Sequence, residues 1–181
     1  MNELNLNYLL GKTITSIGSS FLITKSNGFD FFEYRIDYKS YFVILSDIKW
    51  RYQKILIHSE WSKNISGHDH LAFKIHLGEV FSGTEKDYLT MPYPSSIAIM
   101  NGFHVKQIDV YGYSNAFNFT EQTKHIIQFI STDGKKMLLR PEINGLGLVL
   151  TLSNSEINTF FNESLNHEFI IHVETFEQKN L

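Results

Sequence analysis

Apolar residues in this chain recur mostly with a period of two. Tyr34, Ile36 and Tyr38 alternate with Arg35 and Asp37, and Leu71, Phe73, Ile75 and Leu77 alternate with Ala72, Lys74 and His76. Successive side chains of a strand point to opposite faces, so each alternation predicts a strand with one buried face. Residues 42–45 form a continuous apolar run, and Ile55 and Ile57 resume the alternation. The second half predicts strands over 105–111, 126–130, 137–139, 148–152 and 169–176. Ser26-Asn27-Gly28, Asp133-Gly134 and Asn144-Gly145 read as the turns between strands. Asp133-Gly134, between Phe129-Ile130 and Met137-Leu138, predicts a hairpin.

One helix breaks this rhythm. Ser153-Asn154-Ser155-Glu156 has the form of a capping box, with serine accepting from the third amide and glutamate reaching back. Ile157, Phe160, Phe161 and Leu165 then share one helical face, so a helix is predicted over 155–165. Residues 2–10, ended by Gly11, fit a short helix or a strand equally well, because Leu4, Leu6, Tyr8 and Leu10 alternate.

The two halves of the chain resemble each other. Gly11-Lys-Thr-Ile14-Thr-Ser-Ile17 and Gly102-Phe-His-Val105-Lys-Gln-Ile108 both read Gly-x-x-(Ile/Val)-x-x-Ile, at an offset of 91. Tyr34-Arg-Ile36 meets His125-Ile-Ile127 at the same offset, and 42–45 resembles 136–139 at 94. Phe73-Lys-Ile75-His76-Leu77 matches Phe169-Ile-Ile171-His172-Val173 at 96. The common order and slow drift predict a tandem duplication. The first copy covers about 9–79, the linker about 80–96 and the second copy about 97–176, within a single domain of 181 residues. The linker holds Gly83, Pro92 and Pro94, and proline removes a backbone donor and favours extended geometry. The fold class expected is α+β, mainly antiparallel, with two related sheet-forming halves and one helix.

Composition agrees. Apolar residues make up 43% of the chain and aromatic residues 14%, with 15 Phe and 9 Tyr. Such residues suit half-buried pleated surfaces. The net charge is −3 and the 16 basic residues are scattered, so the basic stripe of a nucleic-acid binder is missing. There is no cysteine, which removes thiol catalysis, cysteine-ligated zinc and disulfides. No apolar run reaches the length of about 18–20 residues that spans a bilayer as a helix. The first residues, MNELNLNYLLGK, lack the pattern of a secretory leader. A cytoplasmic protein that binds neither nucleic acid nor membrane is expected.

Candidate chemistry is sparse. Gly11-Lys12-Thr13 lacks the upstream glycine of a phosphate loop, since Leu6 stands there and a strand pattern follows. Gly112-Tyr113-Ser114-Asn115-Ala116 resembles a nucleophile elbow but precedes no helix. Titratable groups concentrate in SGHDHLAFKIHLGE, residues 66–79. If Leu71, Phe73, Ile75 and Leu77 face the core, His70 and His76 face outward with Lys74 between them. Six residues of strand separate those histidines by about 20 Å, so they cannot share an ion. Only His68, Asp69 and His70 remain as a candidate metal or acid–base group. Trp50, Arg51, Trp61 and Phe29 are the candidate partner-binding residues, because Trp and Arg dominate interface hot spots.

The run Leu9-Leu10-Gly11-Lys12-x-Ile14-x-x-Ile17, then Phe42-x-Ile44-Leu45 and Trp50-Arg51, then Gly102 to Ile108 and a hairpin ending near Leu139, resembles a diffuse group of small bacterial proteins. Members of that group are mostly uncharacterised, β-rich and duplicated, and some resemble toxin-immunity proteins. The likeness covers less than half of the chain and rests on structural motifs. It implies a non-enzymatic role in binding another protein, such as a cognate toxin, with no cofactor. The alternatives are a metal-dependent hydrolase or lyase using His68-Asp69-His70, and a small-ligand binder with its pocket between the halves. Exposed strand edges are also compatible with a homodimer.

Overall fold

The computed structural model describes residues 5–19, 22–26, 31–37, 39–45, 51–63, 69–82, 95–113, 126–141, 147–166 and 170–178. Strands form where the alternation is strongest. They are β1 (Thr13–Ser19), β2 (Leu22–Ser26), β3 (Phe31–Asp37), β4 (Lys39–Leu45), β5 (Arg51–Lys63) and β6 (Asp69–Ser82) in the first half. The second half supplies β7 (Ser95–Tyr113), β8 (Ile126–Ser131), β9 (Lys136–Pro141), β10 (Gly147–Thr151) and β11 (Ile170–Glu177). Every pairing is antiparallel, in the order β2-β3-β10-β9-β8-β7-β1-β4-β5-β6, with β11 added to β7. The sheet curls into a half-barrel.

Strand register decides which side chains fill the curl. Leu148 lies opposite Ile36, Ile127 opposite Leu139, Ile108 opposite Phe129, Ile14 opposite Ile44 and Phe42 opposite Ile55. Each pair shares the inner face, and all of these residues are buried. Three strand spacings lie between β4 and β8 along the path, yet the Phe42 and Phe129 rings meet edge to face at 5.5 Å. The curl therefore brings distant strands into contact across its interior.

The N-terminal segment is neither of the two alternatives in full. Leu6–Leu9 is a single 3-10 turn, capped by the Asn5 side chain on the Asn7 amide at 3.2 Å. Side chains three apart eclipse on such a turn. Leu6 and Leu9 both point into the curl and are fully buried. Tyr8 donates to Gln53 Oε1 at 2.8 Å, which serves a buried amide on β5.

The Gly-x-x-(Ile/Val)-x-x-Ile motifs pose a geometric problem. Residues three apart on a regular strand face opposite ways, yet Ile14 and Ile17 are both in the core, as are Val105 and Ile108. A bulge resolves it each time. One extra residue, Thr15, interrupts the β1–β4 register, and Lys106 interrupts the β7–β8 register. The glycines match as well, with φ of +72° at Gly11 and +69° at Gly102. The two motifs also meet each other: Thr13 lies opposite His104, its counterpart at the 91-residue offset, and Thr13 Oγ1 is 2.7 Å from His104 Nδ1. Elsewhere the pairings of the halves do not correspond. β1 pairs β4, β7 pairs β8, and the β2–β3 hairpin of the first half joins β10 of the second. β6 runs to Ser82 and β7 begins at Ser95, so both ends of the 80–96 linker lie within strands.

The hairpin and the helix follow their local signals. Ser131 and Lys135 close a loop in which Gly134 alone has positive φ, +80°. That is a type I turn continued by a left-handed glycine. Lys135, at 2.7 Å, and Ser131 hold the Asp133 carboxyl down at about 2. Helix α1 (Asn154–Asn166) begins where the Ser153 hydroxyl accepts from the Glu156 amide at 3.4 Å. Ile157 and Phe161 pack on Ile126, Leu138 and Ile170 of the sheet's outer face.

Candidate functional site

The outer face of the sheet beside α1 holds an organised polar group among the described residues. On β7, Ile108 and Val110 take the inner face, which leaves Gln107, Asp109 and Tyr111 outside. Register adds Gln128 of β8 and Thr175 of β11 opposite Asp109, and His172 of β11 opposite Tyr111. His172 and Thr175 are three apart and would diverge on a regular strand. The register shift between His172 and Glu174 returns both to the outer face.

Asp109 is only 6% exposed. Burying a carboxylate is costly unless donors replace its water. Gln107 Nε2 donates to both of its oxygens, at 2.9 and 3.0 Å, and Thr175 Oγ1 donates at 2.7 Å. His172 Nε2 lies 2.7 Å from the same threonine oxygen. A hydroxyl has one proton and an ionised carboxylate only accepts, so the Thr175 proton points to Asp109. The Thr175 oxygen must then accept, and His172 carries its proton on Nε2. The exposed ring leaves Nδ1 turned away from this contact.

The Tyr111 ring stands edge-on to His172 at 5.4 Å and tilted against Phe161 at 4.6 Å. Its hydroxyl donates to Gln128 Oε1 at 3.3 Å. Burial, with a smaller push from the Asp109 charge, raises the phenol to about 12. The group thus combines an imidazole oriented through Nε2 by Thr175, a buried carboxylate and a phenol that stays neutral. It can hold a donor from a bound partner and orient it.

The residues proposed from sequence lie elsewhere. Arg51 is the first residue of β5, opposite Ser82, and Trp61 sits near the other end, opposite Leu71. Ten strand residues separate them, about 33 Å. Trp50 and Phe29 lie outside the described residues. Asp69 and His70 open β6, opposite Lys63 and Ser62, whereas His68 lies outside the described residues. In register, Ile75 and Leu77 pair with the buried Ile57 and Ile55, and half-buried His76 pairs with half-buried Leu56, between them. His172, its counterpart in the second half, lies on the outer face.

Sequence reasoning passed over Asp109, His172 and Thr175. The alternation Gln107-x-Asp109-x-Tyr111 was a visible signal for an outward polar row. No signal marks the bulge that joins His172 to Thr175. Among the described residues no three His, Asp or Glu side chains converge to hold a metal ion. Among them, too, no helix is long and apolar enough to cross a membrane. No family model matches the chain, and neither a curated protein nor a solved structure matches it.

Proposed function

We propose that this protein is a non-enzymatic binding protein that recognises another protein, as an immunity-type inhibitor of a bacterial toxin does in the cytoplasm. The supporting observation is where its apolar side chains lie. The inside of the curled sheet is filled by core residues from β1, β3–β5 and β7–β10, closed by Leu6 and Leu9. Recognition then falls to the outer face and the strand edges. Among the described residues, large apolar side chains stand exposed at Ile23 (57%) on the edge strand β2, at Met100 (85%) within β7 and at Val173 (37%) on β11. With the interior filled, a partner would be met by the backbone edges and the outer polar row, not by an internal cavity.

The twin glycine-and-bulge motifs support a duplicated origin for the two halves, with the β2–β3 hairpin re-paired afterwards. In that reading the β1–β7 seam is where the copies joined.

Co-expression with the polypeptide encoded by the adjacent gene tests the function. A stoichiometric complex, together with relief of that polypeptide's toxicity, is the expected result. Unrelieved toxicity with both chains folded and no complex on gel filtration would reject it.

A further inference from the structure

Strand β7 departs from its neighbour β1 at one place. Ile14 pairs with Phe103 and Ser16 with Ala98, so residues 99–102 stand against Thr15 alone. Four residues opposite one make an excursion larger than a simple bulge. Asn101 and Gly102 both take the left-handed region, with φ of +64° and +69°. Asn-Gly with two positive φ values in succession carries the signature of a type I′ turn. Among the described residues, Asn101 is the one non-glycine with positive φ.

The excursion is pinned at both ends. Phe103 belongs to the buried core, and Ile99 packs against that core. Gly102 lies so close to β1 that a Cβ there would stand 2.5 Å from Thr13 Cγ2. Neighbouring side chains of an extended segment diverge, so Met100 turns outward where Ile99 turns in. Met100 is 85% exposed.

This position matters chemically because the chain has no cysteine. Thioethers are then its soft, oxidisable sulfur groups. Of the four methionines, Met137 on β9 is fully buried, and Met1 and Met91 lie outside the described residues. Burial withholds a thioether from an oxidant until the fold opens.

We propose that Met100 is a site of reversible oxidation by hydroperoxides. Its sulfur lone pair takes one peroxide oxygen, and the O–O bond breaks as the S–O bond forms. A proton passes to the departing oxygen. The thioether becomes the sulfoxide, a two-electron oxidation, and hydrogen peroxide is reduced to water. The product is polar and chiral where the side chain was apolar. Met100 packs on little, so the fold survives while the surface of β7 exchanges an apolar group for an acceptor. The assignment goes beyond the protein-binding reading and does not depend on it.

The full-length folded protein is treated with hydrogen peroxide, and each methionine is followed by digestion and mass spectrometry. Met100 is expected to gain one oxygen within about threefold of the rate of N-acetylmethionine amide, and Met137 at least about thirtyfold more slowly. In urea the two rates are expected to converge. The reductases specific for the two sulfoxide epimers are together expected to remove the oxygen. Oxidation at Met100 is expected to shift the thermal midpoint by less than about 2 °C, with Met100→Leu treated in parallel to subtract the other methionines. Met100 reacting as slowly as Met137 in the folded protein would overturn the inference. So would a sulfoxide that neither reductase removes, or a larger loss of stability specific to Met100.

Discussion

Asp109 shows how one residue's surroundings are set by its neighbours on three strands. Its carboxylate is out of water, and amide and hydroxyl donors replace the lost hydration. Losing one such donor from a buried acceptor typically costs about 1–3 kcal/mol. Burial, with a smaller push from the same buried charge, holds the Tyr111 phenol at about 12 instead of 10.0. Between those values the folded state holds a proton that the unfolded chain has already released. Stability must therefore fall as pH rises through that window. An absorbance titration of the phenolates is expected to lose its group near 12 in Tyr111→Phe. The variant is also expected to lose part of the alkaline decline in unfolding free energy. An unchanged titration curve would mean that Tyr111 ionises like an exposed phenol.

The bulged motifs operate at the scale of the element. Spacing three suits a helix face, yet both copies lie in strands, because a single extra residue restores the inward direction. Gly11 turns the chain into β1 and Gly102 bends β7 midway, both through the left-handed region. Their tolerance to a methyl group differs. A Cβ on Gly102 would stand 2.5 Å from Thr13 Cγ2, inside the β1–β7 seam. One on Gly11 would meet only the end of the flexible Gln178 side chain, at 3.1 Å. Left-handed strain alone costs about 1–2 kcal/mol. Gly11→Ala is expected to cost about that much, and Gly102→Ala about 3 kcal/mol or more. Denaturant midpoints measure both, and equal losses would contradict the close packing at the seam. The hairpin at Asp133-Gly134 and the helix capped by Ser153 were legible in the sequence, because turn chemistry and capping act within a few residues. The bulges were not legible, since an extra residue in a strand is defined only against its partner strand.

The whole molecule is a curled sheet whose interior must be closed. Leu6 and Leu9 do this from outside the sheet, on a turn of only four residues. Leu9→Ala is expected to cost about 2–5 kcal/mol, the range for deleting a fully buried leucine. Thermal or urea unfolding checks this directly. A loss below about 1 kcal/mol would show that the turn is peripheral to the core. At this scale the candidate residues also separate. Arg51 and Trp61 stand at opposite ends of β5. The Asp109 group instead gathers side chains from β7, β8 and β11, across more than sixty residues of chain. Titratable residues crowd together in sequence at 66–79, whereas register builds a polar group elsewhere.

By itself, the sequence determined the strand-rich antiparallel class, the Asp133-Gly134 turn, the helix after Ser153 and the parity that sets His76 apart from Ile75 and Leu77. Each of these depends on periodicity or on contacts a few residues apart. Only the tertiary structure decided that the β2–β3 hairpin joins β10, that β11 joins β7, and that Phe42 meets Phe129. It alone placed His172, Thr175 and Asp109 in one hydrogen-bonded chain. Strand pairing is a choice among edges with nearly equal backbone hydrogen bonding. That choice is made by long-range burial, which no local pattern encodes.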